Sequence, residues 1–171
     1  MSSIVALRLV HILAGTFWAG VAVFMAGFLV PSIRAAGPAG AAVMRELVQV
    51  RRLTHWLMLS SWLTLVAGLG LVHLLAGDLG HRWFVVGVGR WFGAGAAVAL
   101  LAMIIGHTVN VPTARRIGLL GAAIQAGGAP PTPEQQGQMQ ALQQRMTTAA
   151  RVVASLLALA TALMAVARYL G

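Results

Sequence analysis

Four long apolar stretches, each nearly free of charged side chains, most constrain how this 171-residue chain can fold. A helix needs about 20 mostly apolar residues to cross the hydrocarbon core of a bilayer. Charged residues make up only 9 % of the chain, whereas a soluble domain carries roughly 25 %. The sequence therefore predicts an all-α bundle of four transmembrane helices, forming a single integral membrane domain over residues 1–171. The predicted spans are residues 4–30, 53–76, 83–110 and 149–170.

Proline and turn signals mark the connections between these spans. Pro31 is predicted to end the first span, and Asn110-Val111-Pro112 is predicted to end or kink the third. Residues 39–52 contain no helix breaker, so they are predicted to extend the second helix into water.

The start of the last helix has the clearest signature. Thr132 and Gln135 fit a capping box, and Pro133 fits the first helical position. Residues 134–146 are therefore predicted to form a polar helical lead-in to the fourth span.

Arginine placement predicts the orientation in the membrane. All basic residues are arginine, and the two long connections hold most of them: Arg34, Arg45, Arg51, Arg52, Arg115, Arg116, Arg145 and Arg151. Because arginine accumulates in cytoplasmic loops, the helical extensions are predicted on the cytoplasmic side of a bacterial inner membrane, with both termini outside. The net charge of +9 has the same explanation and does not indicate a nucleic-acid partner.

Five histidines are distributed at two depths. His11 and His73 lie near the outer ends of the first two spans, and His55 and His107 lie near the inner ends of the second and third. His55 and His73 are 18 residues apart, which is five whole turns at about 100° per residue. They therefore share one helix face. His81 lies in the outer link, where we expect it to be solvated.

Paired imidazoles in a helical bundle suggest b-type haem. Such a haem needs one or two neutral imidazoles on iron, an apolar slot and cations for its propionates. His11 and His73 are the preferred metal ligands, and His55 and His107 are the second pair, so one haem or two are expected. Candidates to line the cofactor or bind its propionates, all on the outer side, are Arg8, Gly15, Trp18, Arg82 and Arg90. Alternatively, each histidine only hydrogen-bonds a neighbouring helix.

Other chemistries lack the residues they need. The chain contains no cysteine, which excludes iron–sulfur clusters and disulfides. Its methionines are scattered without a Met-x-x-Met cluster and favour core packing over copper binding. The acids Glu46, Asp78 and Glu134 all lie in or next to connections. No catalytic carboxylate and no hydrolytic site are therefore predicted.

The opening LRLVHILAGTFWAGVAVFMAGFLVP resembles small four-helix bacterial membrane proteins of the CopD/HemJ type. These include the HemJ-type protoporphyrinogen oxidases and the CopD copper-resistance membrane domain. The resemblance covers most of the chain in hydropathy and span order. Its specific part is the first-span histidine, the Phe17-Trp18-Ala19-Gly20 stretch and the arginine-flanked connections. It implies that His11 is haem-associated. The lysine that HemJ-type enzymes use in a later span has no counterpart in this chain.

The sequence thus favours a haem b-binding membrane protein that transfers electrons between a quinone pool and a redox partner protein, or a haem-dependent membrane oxidoreductase. Two alternatives stay open. One is a non-catalytic accessory subunit that packs against other membrane subunits through its helical extensions. The other is a copper or small-solute transporter.

Overall fold

The structure, a computed structural model, describes residues 3–170, and within that range it contains five helices and no strand. Helix α2 begins at Pro38 and ends with a π turn at Glu46–Val50. A stretch of 3₁₀ turns, Gly77–Val85, joins the third helix to the fourth. The other four helices are α1 (Ser3–Ala35), α3 (Leu53–Ala76), α4 (Gly87–Ala126) and α5 (Pro133–Leu170).

Helices α1, α3, α4 and α5 are long and apolar enough to cross a membrane. Their most apolar windows have mean hydropathies of 1.8–2.0, and only 11–22 % of each window is buried inside the bundle. Water cannot cover so much contiguous apolar surface without a large free-energy cost, whereas lipid tails can. The chain is therefore a multi-pass membrane protein in a lipid bilayer.

The bundle is built from two helix pairs. Helix α1 lies along α3 and α4 lies along α5, while contacts between α1 and α5 join the pairs. Contacts between α3 and α4 are sparse. Leu7 packs against Gly70, and Gly15 packs against Thr64, so α1 and α3 run antiparallel.

Small side chains dominate the buried positions of the bundle. Such residues let helix backbones approach closely in a membrane, where the hydrophobic effect does not drive helices together. Five buried residues form a cluster at mid-bundle, to which α1 contributes Trp18, α4 contributes Ala102 and Met103, and α5 contributes Val153 and Leu157. This cluster holds the two helix pairs together.

Two prolines that were predicted to interrupt helices lie within continuous helices. Helix α1 does not end at Pro31 but continues to Ala35, and α4 continues past Pro112 to Ala126. A π turn precedes each proline, at Met25–Leu29 in α1 and at Gly106–Asn110 in α4. Proline lacks an N–H group, and its ring clashes with the carbonyl four residues earlier. A π turn widens the helix locally and displaces that carbonyl.

The prediction that residues 39–52 extend the second span was wrong. They form the separate helix α2, which is interrupted before α3 begins. Arg52 adopts a left-handed backbone conformation with φ 54° and ψ 38°. A non-glycine residue in this conformation stops an α-helix. Because the helix is interrupted at Arg52, the axis of α2 need not continue that of α3.

The start of α4 differs from the prediction, whereas the capping box predicted at the start of α5 is confirmed. The third span was predicted from residue 83, but α4 begins at Gly87. Trp83 is instead buried in the 3₁₀ segment, stacked on Phe92 with ring centroids 6.2 Å apart. The capping box is confirmed: the Thr132 N–H donates to Gln135 Oε1 at 3.0 Å, and the Gln135 N–H donates to Thr132 Oγ1 at 3.2 Å.

We expect Gly95→Leu to destabilise the bundle. A Cβ at Gly95 would lie 2.8 Å from Met164 Cγ and 3.2 Å from the Ala160 carbonyl oxygen on α5. Overpacking of this kind costs about 1–3 kcal/mol, so the melting temperature in detergent should fall. Gly20→Leu is the matched control, because a Cβ at Gly20 meets nothing within 4 Å. Equal melting temperatures for the two variants would contradict the close α4–α5 approach.

Candidate cofactor site

His11 is anchored to the neighbouring helix. Its ring nitrogen Nδ1 lies 2.8 Å from the backbone carbonyl oxygen of Thr64 on α3. Because a carbonyl only accepts, Nδ1 must carry the proton, and Nε2 of the neutral ring keeps a free lone pair. Gly68 makes room for the ring, since a Cβ there would lie 3.0 Å from His11 Cε1. Sequence reasoning did not identify Thr64 as the partner of His11.

The candidate lining residues near His11 contact protein side chains. A Cβ at Gly15 would lie 3.4 Å from Thr64 Cγ2, so Gly15 lies at the α1–α3 contact. Trp18 is buried in the mid-bundle cluster. Arg8, one turn before His11, is exposed. The structure therefore places this stretch of α1 against α3 and the core.

His73 lies on the other side of α3 from His11. It follows Thr64 by nine residues, or two and a half turns at about 100° per residue. Its side chain is exposed. The structure therefore does not bring the preferred outer pair together. His55 precedes Thr64 by nine residues and is exposed as well, so the two α3 histidines share the face opposite α1.

His107 has the most unusual environment of the five histidines. It lies in the π turn Gly106–Asn110, and its Nδ1 is 2.9 Å from the carbonyl oxygen of Met103. The same donor argument leaves its Nε2 with a lone pair. That atom is buried and has no hydrogen-bond partner within residues 3–170. Polar atoms buried without a partner are rare and usually indicate an unseen ligand, ion or water.

Asn110 carries the second unpartnered atom. Its Oδ1 is also buried and lacks a donor in the part of the chain described. Asn110 follows His107 by three residues within the same π turn. Sequence reasoning used Asn110 only as a turn signal. A polar amide inside a run as apolar as IIGHTVNV could have indicated a site.

Trp62 connects His107 to the histidine face of α3. The indole and the imidazole meet edge to face, with ring centroids 6.0 Å apart. His55 precedes Trp62 by seven residues, which places the two side chains within about 20° of each other around α3. Along the helix axis they are about 10 Å apart. The predicted inner pair, His55 and His107, thus lies on the same α3–α4 side of the bundle.

Of the three arginines predicted to bind propionates, one side chain is hydrogen-bonded and two are not. Arg90 Nη2 donates to the Leu170 carbonyl oxygen at 3.4 Å, and Trp91 Nε1 donates to the same oxygen at 3.0 Å. Arg90 therefore helps hold the end of α5. Arg8 and Arg82 are exposed and make no hydrogen bond to described residues.

Clustered ligands and deep cavities do not mark the site. Residues 3–170 contain no group of three or more histidines or acids that could enclose a metal ion. A haem iron needs only one or two imidazoles, because the porphyrin supplies the other ligands. The two best-formed surface grooves, with volumes of about 500 and 260 Å³, are not lined by a histidine. A ring bound at His107 would therefore lie at the thinly packed α3–α4 seam.

Comparison with known protein families, curated proteins and solved structures finds no match to this chain. The CopD/HemJ resemblance therefore stays a prediction.

We expect His11→Phe to lower the free energy of unfolding by roughly 1 kcal/mol, the size of an interhelical hydrogen bond in a membrane protein. The ring still fills the space over Gly68, but the bond to the Thr64 carbonyl is lost. His73→Phe is the control, because His73 is exposed on the opposite face and should shift stability little. Thermal or denaturant unfolding in detergent measures both. Equal effects would show that the His11 bond contributes nothing.

Proposed function

We propose that this chain is a membrane haem b protein that transfers electrons, with His107 as an iron ligand. One observation carries the proposal: the Nε2 of His107 is a buried lone pair without a partner. A neutral imidazole nitrogen is the usual protein ligand of haem iron. Leaving such an atom unpaired inside a membrane protein is costly, and a bound group would remove that cost.

The hydrogen bond at Nδ1 supports the same reading. Histidines that bind metals donate their other ring N–H to a carbonyl, carboxylate or water, which fixes the tautomer and the ring orientation. His107 does this with the Met103 carbonyl at 2.9 Å. It also lies in a π turn, an irregularity that is frequent at functional sites.

The surroundings of His107 suit an apolar macrocycle. Trp62 flanks the imidazole, and Met103 belongs to the buried cluster beside it. His55, on the same face of α3 as Trp62, is the proposed second ligand. The propionates would extend toward the nearby arginine-rich end, where the side chains of Arg52 and Arg115 make no hydrogen bonds to described residues.

The redox role is proposed because a bound haem would carry electrons and because the acidic residues are poorly placed for proton pumping. Bound haem b supplies a one-electron carrier whose potential depends on axial ligands and burial. The protein's contribution is to orient His107, exclude water and supply cations. The acids Glu46, Asp78 and Glu134 lie in or next to connections, which disfavours carboxylate-driven proton pumping. We propose a membrane quinone pool or a redox protein as partner, in a bacterial inner membrane with both termini outside.

An optical spectrum of the purified protein tests the proposal. We expect a Soret band that shifts on reduction with dithionite, and a pyridine haemochrome assay that gives one haem per chain. His107→Ala should abolish the band because the iron loses its ligand. His81→Ala is the matched control, since His81 is exposed in the 3₁₀ segment, and its spectrum should match that of the parent.

Spectra of variants at the other histidines identify which residue binds the iron. Loss of the band in His11→Ala but not in His107→Ala would move the ligand to α1, as the family resemblance implies, and would reject the His107 assignment. His55→Ala should weaken or shift the band if it supplies the second ligand. A colourless, metal-free preparation would reject haem binding altogether.

The accessory-subunit alternative has one supporting observation. One face of α3 is exposed along its whole length and carries His55, Leu59, Trp62, Val66, Leu69 and His73. Polar residues facing lipid are costly, so an exposed histidine at each end of this face suits a protein neighbour. Co-purification of a stoichiometric membrane partner with colourless protein would favour this function over electron transfer.

A further inference from the structure

The larger surface groove lies between α4 and α5, at the end of the bundle where the long connections meet. Its volume is about 500 Å³, and it is open on one side. The residues that line it are Val109, Ala141, Gln144, Arg145, Thr148 and Ala149. It is separate from the proposed haem site, because Val109 and His107 are two residues apart and point about 160° away from each other around α4.

The groove is lined by three apolar and three polar side chains. Val109 and Ala149 lie next to the limits predicted from the sequence for the third and fourth spans, residues 110 and 149. Gln144, Arg145 and Thr148 lie on α5 just before the second of these limits. A ligand that fills the groove therefore meets both apolar and polar side chains, a lining that suits an amphiphile such as a phospholipid.

The polar part of the lining carries an uncompensated positive charge. Arg145 is exposed and makes no hydrogen bond or ion pair with the described residues. None of the residues lining the groove is acidic. Glu46 is already paired with Arg51 at 3.2 Å, and Glu134 lies three turns before Arg145 on α5. An anion at Arg145 therefore meets an arginine and two neutral hydrogen-bonding side chains.

We propose that this groove binds the phosphate headgroup of an anionic phospholipid. Arg145 would pair with the phosphodiester, and Gln144 and Thr148 would donate hydrogen bonds to its oxygens. Val109 and Ala149 would contact the upper acyl chain. Basic pockets between transmembrane helices at a membrane surface bind anionic headgroups in this way.

Native mass spectrometry of the full chain, titrated with phosphatidylglycerol or phosphatidylcholine, tests the site. We expect retained phosphatidylglycerol adducts and far weaker retention of phosphatidylcholine. Arg145→Gln should weaken phosphatidylglycerol binding about fivefold, the effect of one arginine at an anionic surface. Arg168→Gln is the matched control, because Arg168 is exposed and unbonded at the opposite end. Its adducts should equal those of the parent.

Two further measurements make the result decisive. Ala141→Trp fills the groove without removing a charge, so loss of the adducts in that variant identifies the groove rather than general positive charge. Inorganic phosphate is added as a competitor. Displacement of the lipid by millimolar phosphate would overturn the lipid assignment in favour of a soluble anion. Unchanged adducts in Arg145→Gln, or equal loss in Arg168→Gln, would overturn the site.

Discussion

The structure depends on one constraint, which is that a bilayer offers no water to satisfy a polar group. Every backbone N–H and C=O in the spans must find a partner within the protein, so the spans are helices. The same constraint applies to side chains. Ser60 and Ser61 donate to carbonyls three residues earlier on α3, and Thr64 donates to the Ser60 carbonyl. His11 bonds across to α3. Nearly every polar group in the buried region thus has a partner.

This constraint makes the unpartnered ring nitrogen of His107 significant. An unpartnered ring nitrogen would be unremarkable on a surface in water, but within the membrane it costs several kcal/mol by transfer estimates. The structure keeps two such atoms, on His107 and Asn110, three residues apart within one π turn. The same turn positions the Met103 carbonyl as the acceptor that fixes the ring. A fixed ring with a free lone pair is what supports the proposal that His107 binds a ligand.

Two short segments of the chain, each directly after a π turn, resemble each other in sequence. Val30-Pro31-Ser32 in α1 and Val111-Pro112-Thr113 in α4 each follow a π turn directly, and both turns contact α5. Each proline is followed within three residues by an arginine, Arg34 or Arg115. Arg34 Nη2 donates to the Gln143 carbonyl at 2.8 Å and also bonds Thr147 on α5. The match is confined to a few residues and is not an internal repeat.

By itself, the sequence determined the number of spans, their approximate limits and the start of α5. These features depend on local chemistry: runs of apolar residues, and a capping box whose partners are three residues apart. Only the tertiary structure decided that α1 and α4 continue through their prolines, that α2 is separate from α3, and that His73 points away from His11. Proline signals a break by local rules, and a π turn packed against α5 overrides them. Matching depth along two helices does not fix rotation about their axes. That rotation comes from contacts such as Gly68 with His11 and Trp62 with His107, which join residues far apart in the chain.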